Sequence, residues 1–166
     1  MIKFRFYYDK DKEEQFLNSM SERGYAMKKF ILGFHIFEKT EPNKYTYRVD
    51  LIGNKKMKEL RDYILLIEET GAEYVQRWGM WVYFRKKGNF ELYTDIDSQI
   101  ELYQRIRATF GYMTVVELGC LIMEINAMNY SKIAFYFFVF ILIIILALTY
   151  QIYKCTKKIN YLKIKK

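Results

Sequence analysis

The sequence predicts an α+β domain of order βαβββαββ, a single antiparallel sheet with its helices on one face, followed by a two-helix transmembrane hairpin. Three observations carry this. Short runs with strand or helix periodicity, punctuated by Gly and Pro, fill the chain up to Asp95. Residues 133–153 form 21 positions without a charge. The formal net charge of +8 is uneven, being +3 over residues 1–107, −1 over 108–153 and +6 over 154–166.

Residues 2–8 alternate, with Ile2, Phe4, Phe6 and Tyr8 on one side and Lys3, Arg5 and Tyr7 on the other, the period of a half-buried strand. Asp11 and Glu14 form a capping-box-like start to a helix whose stripe is Phe16, Leu17 and Met20 and which Gly24 closes. Strands follow at 25–31, 35–40 and 44–52, the last two joined by a Glu41-Pro42-Asn43 turn. A second helix, about 55–70, turns Met57, Leu60, Ile64 and Ile67 inward and ends at Gly71. Strands 73–78 and 80–87 form a hairpin at Gly79, completing an order for which a ferredoxin-like arrangement is expected.

From Asp95 a third helical pattern runs without Pro or Gly until Gly111, so a cytosolic helix is expected to continue into the first span. At ~1.5 Å per residue, residues 133–153 reach ~31 Å, the thickness of a hydrocarbon core. Tyr130 lies near one end of this run and Tyr150 and Tyr153 near the other, where interfacial aromatics are favoured. The preceding span is marginal, because Glu117 and Glu124 cost about 2.5–3.5 kcal/mol each if ionised near the centre. It inserts most readily as a hairpin with its neighbour, turning within residues 126–132 near Tyr130. The Lys-rich tail is expected in the cytosol, and the N-terminal domain, which shows no export signal, is expected on the same side, as two crossings require. The expected organisation is a cytosolic domain at 1–95, a connecting helix at 96–107, spans at 108–131 and 132–153, and a cytosolic Lys-rich tail at 154–166.

Few residues suggest chemistry. His35 is the only histidine and the two cysteines form no CxxC, so no zinc site, triad or cofactor is expected. Asp95, Asp97 and Glu101 are better read as a helix start than as a cation site. If the strands alternate as read, Arg5, Tyr7, Arg48, Asp50, Trp81, Tyr83 and Arg85 share the sheet surface away from the helices, a face suited to a protein partner. The mixture of Arg and aromatics also suits nucleic acid, but a charge of +3 is weak for that. Glu117 and Glu124, seven apart, share one helix face, and Tyr136 is the expected donor level with Glu124. Such a face packs the hairpin, a homodimer or a larger membrane protein. Lys154, Lys157 and Lys158 are placed to contact lipid headgroups.

A resemblance sharpens this. The opening Lys3-Phe4-Arg5-Phe6-Tyr7-Tyr8-Asp9, the segment Glu13-Glu14-Gln15-Phe16-Leu17-Asn18 and Gly24-Tyr25 come in order. So do Phe37-Glu38-Lys39, Tyr45-Thr46-Tyr47-Arg48-Val49-Asp50, Trp81-Val82-Tyr83-Phe84-Arg85-Lys86-Lys87 and Phe90-Glu91-Leu92-Tyr93-Thr94-Asp95. Together they resemble the domain of unknown function 2812 family of bacterial membrane proteins, over about residues 1–107. The resemblance implies no activity and no catalytic residues. It implies instead a partner among PadR-type transcription regulators, hence a non-catalytic regulatory or sensory protein of the bacterial inner membrane. An accessory subunit of a transporter and a membrane-tethered nucleic-acid-binding module are the rival expectations.

Overall fold

The computed structural model describes residues 1–53, 56–127 and 132–166, which fall into two compact units, Met1–Thr94 and Asp95–Lys166. The expected second-helix start at Lys55 and the turn centre at Tyr130 lie outside the described residues. The elements run β1 (Ile2–Phe4), α1 (Lys10–Glu22), β2 (Tyr25–Ile31), β3 (Phe34–Lys39), β4 (Tyr45–Leu51), α2 (Met57–Glu69), β5 (Glu73–Trp78), β6 (Trp81–Lys87), α3 (Ile96–Ala127) and α4 (Lys132–Lys165). The order βαβββαββ is that read from the sequence. Several boundaries shift by a residue or two, and two differences matter for the packing. β1 stops at Phe4 instead of reaching Tyr8, and α1 is capped by Asp9, whose carboxylate accepts the Asp11 N–H at 3.1 Å, instead of by Asp11. Gly24 ends α1 at φ +78°, with the Thr40 carbonyl 2.9 Å from where a Cβ would stand.

The strands form two three-stranded antiparallel sheets, β1-β3-β2 and β4-β6-β5, which corrects the expectation of one sheet and of a ferredoxin-like layout. What separates the sheets is visible at the β2 edge. Phe30 donates its backbone N–H to the Gln76 side-chain oxygen (2.8 Å), and the Gln76 amide donates to the Phe30 carbonyl (3.1 Å). A side chain of β5 thus satisfies the β2 edge, so the backbone ladder ends there instead of running on into the second sheet.

The helices are not on one face either. α1 runs along the β4 edge that β6 leaves open. Three alternate β4 N–H groups donate to a helical stripe: Tyr45 to Ser21 (3.1 Å), Tyr47 to Asn18 (2.7 Å) and Val49 to Glu14 (2.7 Å). The spacing 14, 18, 21 is one turn then nearly another, so the stripe tracks a strand edge as a neighbouring strand would. Leu17 and Met20 beside it enter a core with Met27, Phe30, Phe37, Tyr47, Val49 and Tyr83. The opposite face of β4-β6-β5 carries Val82 and Phe84 into a second core with Ile52, Leu60 and Phe90, flanked by Tyr63, Ile64 and Ile67 of α2.

In the second unit α3 and α4 pack against each other along their lengths, antiparallel, as the Lys166 ammonium 2.7 Å from Asp97 requires. α3 passes Gly111 without a break, and its 32 residues span ~48 Å. α4 has 34 residues, and the Lys-rich segment expected as a tail is its last turns. Along the inner seam of α4 the shielded residues include Ala134, Phe138, Ile141, Ile145, Leu148, Ile152, Cys155, Ile159 and Leu162, with Ile144, Gln151, Lys154, Thr156 and Lys158 shielded beside them. The seam residues alternate steps of four and three throughout, the heptad pattern of a paired helix. Both helices are long and apolar enough to cross a membrane.

Candidate functional site

Of the seven residues expected on one sheet face, five divide between the two faces of β4-β6-β5 and two, Arg5 and Tyr7, lie beyond the end of β1. In β4 and β6 the register pairs Val49 with Tyr83 and Asp50 with Val82, so odd-numbered residues of both strands share a side. Arg48 and Asp50 therefore lie on the α2 side, and Trp81, Tyr83 and Arg85 on the α1 side. Arg48 makes a two-pronged ion pair with Glu91. Asp50, almost fully buried, accepts from the hydroxyls of Tyr63 (2.6 Å) and Tyr93 (3.0 Å). Arg85 donates to Glu73 at 2.7 Å and its guanidinium lies 4.3 Å from the Tyr45 ring centre. Trp81 packs against the first core. Arg5 and Tyr7 follow β1, where the Arg5 N–H donates to Gly33 (2.8 Å) and the Tyr7 ring meets Phe16. A single basic and aromatic face is thereby excluded, and both of its β-strand arginines are committed to carboxylates.

Tyr83 belongs to a buried polar group that sequence reasoning did not assemble. Its hydroxyl donates to Glu13 Oε1 at 2.8 Å, and His35 Nε2 lies 3.4 Å from the same oxygen. His35 is fully buried among Phe16, Phe30 and Phe37, and its Nδ1 has no hydrogen-bond partner among the described residues. Burial, reinforced by the Glu13 carboxylate, pushes the Tyr83 hydroxyl well above its ordinary value. The same causes act on Tyr63 beside Asp50. Glu14 is raised by burial, against the opposing pull of Lys10 and the Val49 N–H. One signal was available in the sequence. Glu13 stands four and seven residues before Leu17 and Met20, so the helical period already put it on the apolar stripe. The cluster holds an acid, an imidazole and a phenol, but it is enclosed in aromatic side chains, a setting that fixes α1 against both sheets.

Glu117 and Glu124 are partly shielded, in step with Phe110, Thr114 and Leu121 on α3. They thus lie on the stripe that faces the paired helix. Tyr136 does not meet them. It is 72 % exposed, and it falls two residues past Ala134, away from the shielded stripe of α4, so the expected donor to Glu124 is corrected. Of the candidate headgroup lysines, Lys157 is exposed, whereas the Lys158 ammonium lies 5.5 Å from the Tyr103 ring centre and Lys154 stands 6.0 Å from that of Tyr150. Among the described residues no group of three His, Cys, Asp or Glu could hold a metal ion.

An α+β unit with its polar groups turned inward, followed by two long apolar helices in contact, defines a class: a small domain joined to a helical hairpin. Within that class the chain belongs to the DUF2812 family, a family of proteins of unknown function whose model matches residues 9–115. The match runs past Thr94 into α3, so the family's pattern includes the start of the hairpin as well as the domain. Comparison with curated proteins and with solved structures gives no match.

Proposed function

We propose that the protein is a membrane-anchored regulatory protein without catalytic activity, which docks a cytosolic partner at the bacterial inner membrane with both termini in the cytosol. The observation that carries this reading is the unbroken α3, which begins directly after the α+β unit and continues into the apolar hairpin. A rigid helix of that kind suits transmission between a soluble unit and a bilayer better than it suits mere tethering. The absence of catalysis is argued from the interior position of the Glu13–His35–Tyr83 group, whose polar atoms face core side chains. A PadR-type transcription regulator is the partner class proposed. Nucleic acid is disfavoured, because Arg48 and Arg85 are engaged by Glu91 and Glu73.

One observation favours a second reading. Two glutamates on the inner stripe of an otherwise apolar hairpin leave carboxylate oxygens that a larger membrane protein could satisfy, as an accessory subunit of a transporter would require. Purification of the tagged protein from membranes in mild detergent, with mass spectrometry of what accompanies it, separates the two. Co-purification of a transcription regulator supports the first. A polytopic protein that is lost from Glu117→Gln or Glu124→Gln replaces it with the second.

A further inference from the structure

The outer face of the β1-β3-β2 sheet is apolar and uncovered within its unit. Register puts Ile2 beside Ile36 and Phe4 beside Phe34. Ile2, Phe4, Phe6, Leu32 and Phe34 each leave roughly half or more of their surface exposed. They converge on the β2–β3 turn. The Phe4 ring lies 4.9 Å from that of Phe34, and a Cβ at Gly33 would stand 2.8 Å from Phe4 and 3.4 Å from Phe6.

The turn itself is anomalous. Leu32 (φ 47°) and Gly33 (φ 85°) are both left-handed, the geometry of a two-residue turn that favours Asn-Gly. A leucine there is disfavoured by its own backbone and gains no burial in return, since it is 67 % exposed. Lys29, opposite Ile36, shares this face with the acid Glu38, while exposed Lys3, Arg5 and Lys28 stand at its margins and residues 1–8 contain no acid. Aromatic and aliphatic side chains with a lysine and arginine rim match the interface of an anionic bilayer, where rings sit at headgroup depth and ammonium groups meet phosphates.

We infer that this sheet face, led by Leu32 at the turn, is a second membrane contact that seats on anionic lipid headgroups. The inference rests on the proposed anchoring of the hairpin, which holds the α+β unit near a bilayer at high effective concentration.

The test uses the full chain with Cys120→Ser and Cys155→Ala, one copy per nanodisc, in phosphatidylcholine alone or mixed with phosphatidylglycerol. An environment-sensitive fluorophore at Ile31→Cys reports the sheet face, and the same dye at Leu146→Cys reports the hairpin. Quenching of the Ile31→Cys probe by lipids spin-labelled near the headgroup, strong with phosphatidylglycerol and weak without it, is the expected result. Lys29→Gln should weaken that association about fivefold. Leu32→Asn should reduce quenching without lowering the thermal midpoint, because Asn suits the turn better. An unquenched Ile31→Cys probe beside a quenched Leu146→Cys probe overturns the inference and leaves the anchor standing. A shielded but unquenched Ile31→Cys probe seen only in discs with two copies also overturns it, assigning the face to a second copy of the chain. No quenching at Leu146→Cys by lipids spin-labelled on the acyl chain overturns the anchor itself and this inference with it.

Discussion

The two units solve opposite problems with the same residue types. In the α+β unit Phe84, Tyr47 and Leu17 are fully enclosed, while in the hairpin Phe137, Ile143 and Leu146 face outward. Polar groups turn inward in both, but among the described residues only the first unit pairs its buried carboxylates with donors. The first unit buries Glu13, Glu14 and Asp50 and answers each with a donor, whereas the second keeps Glu117 and Glu124 on its inner stripe and its lysines at the helix ends. Apolar side chains are thus hidden from water in the first unit, whereas in the second they form the outer surface of two helices long and apolar enough to cross a membrane.

The contrast can be broken most forcefully at matched phenylalanines. Phe84→Ala opens a cavity in the second core and should cost about 3–5 kcal/mol of domain stability, read by denaturant unfolding through the Trp78 and Trp81 fluorescence. Phe137→Ala, at an outward position, should leave that transition unchanged. Equal losses from both would show that the hairpin's outer surface is packed in the native protein.

A smaller effect is expected at the helix that stands in for a strand. Asn18→Ala leaves the Tyr47 N–H without its acceptor and should cost about 1–3 kcal/mol, with faster amide exchange at Tyr45, Tyr47 and Val49 as the local signature. Unchanged exchange at those three amides would mean that α1 packs against β4 without closing its edge.

Alkaline pH tests the buried hydroxyls. Burial and the adjacent carboxylates raise Tyr63 and Tyr83 in the folded state, whereas the unfolded chain loses those protons from about pH 10. Their contribution is therefore complete below about pH 10 and is lost as pH rises further, because the folded state then holds more protons than the unfolded. The thermal midpoint should decline above that pH, and Tyr63→Phe should make the decline shallower. A midpoint that holds steady to pH 11 would contradict the placement of both rings.

The smallest change is predicted for Glu117→Gln, which removes a charge from the hairpin's inner stripe and should leave insertion intact or slightly favoured. Protease protection in vesicles measures it. The effect should appear in assembly or downstream response, so an unchanged crosslinking pattern together with an unchanged response would deny Glu117 any role beyond packing.

The order of elements was legible because alternation, helical stripes and the glycines at 24, 71 and 79 are local signals. Strand partners are not local. Nothing in residues 25–31 says that their second edge meets the Gln76 side chain in place of another strand, so one sheet was expected where there are two. The expected site failed for a related reason. Alternation assigns Arg48 and Arg85 to faces of their own strands, but only the register, Arg48 opposite Phe84, fixes whether those faces coincide. A slip of one residue would have put Arg48 and Asp50 on the same side as Trp81, Tyr83 and Arg85. Tyr136 was misplaced by judging depth alone. Direction around the helix depends on the seven-residue pattern that runs through Ala134 and Phe138.

That pattern has a mechanical consequence. A strict seven-residue recurrence lags a straight α-helix by about 20° per heptad, so the pair must coil left-handed to keep its seam closed. Along α4 the seam continues unchanged from Ala134 in the apolar stretch to Leu162 among the lysines. A hairpin closed by one such seam keeps the same face of α4 inward from its apolar stretch to its basic end.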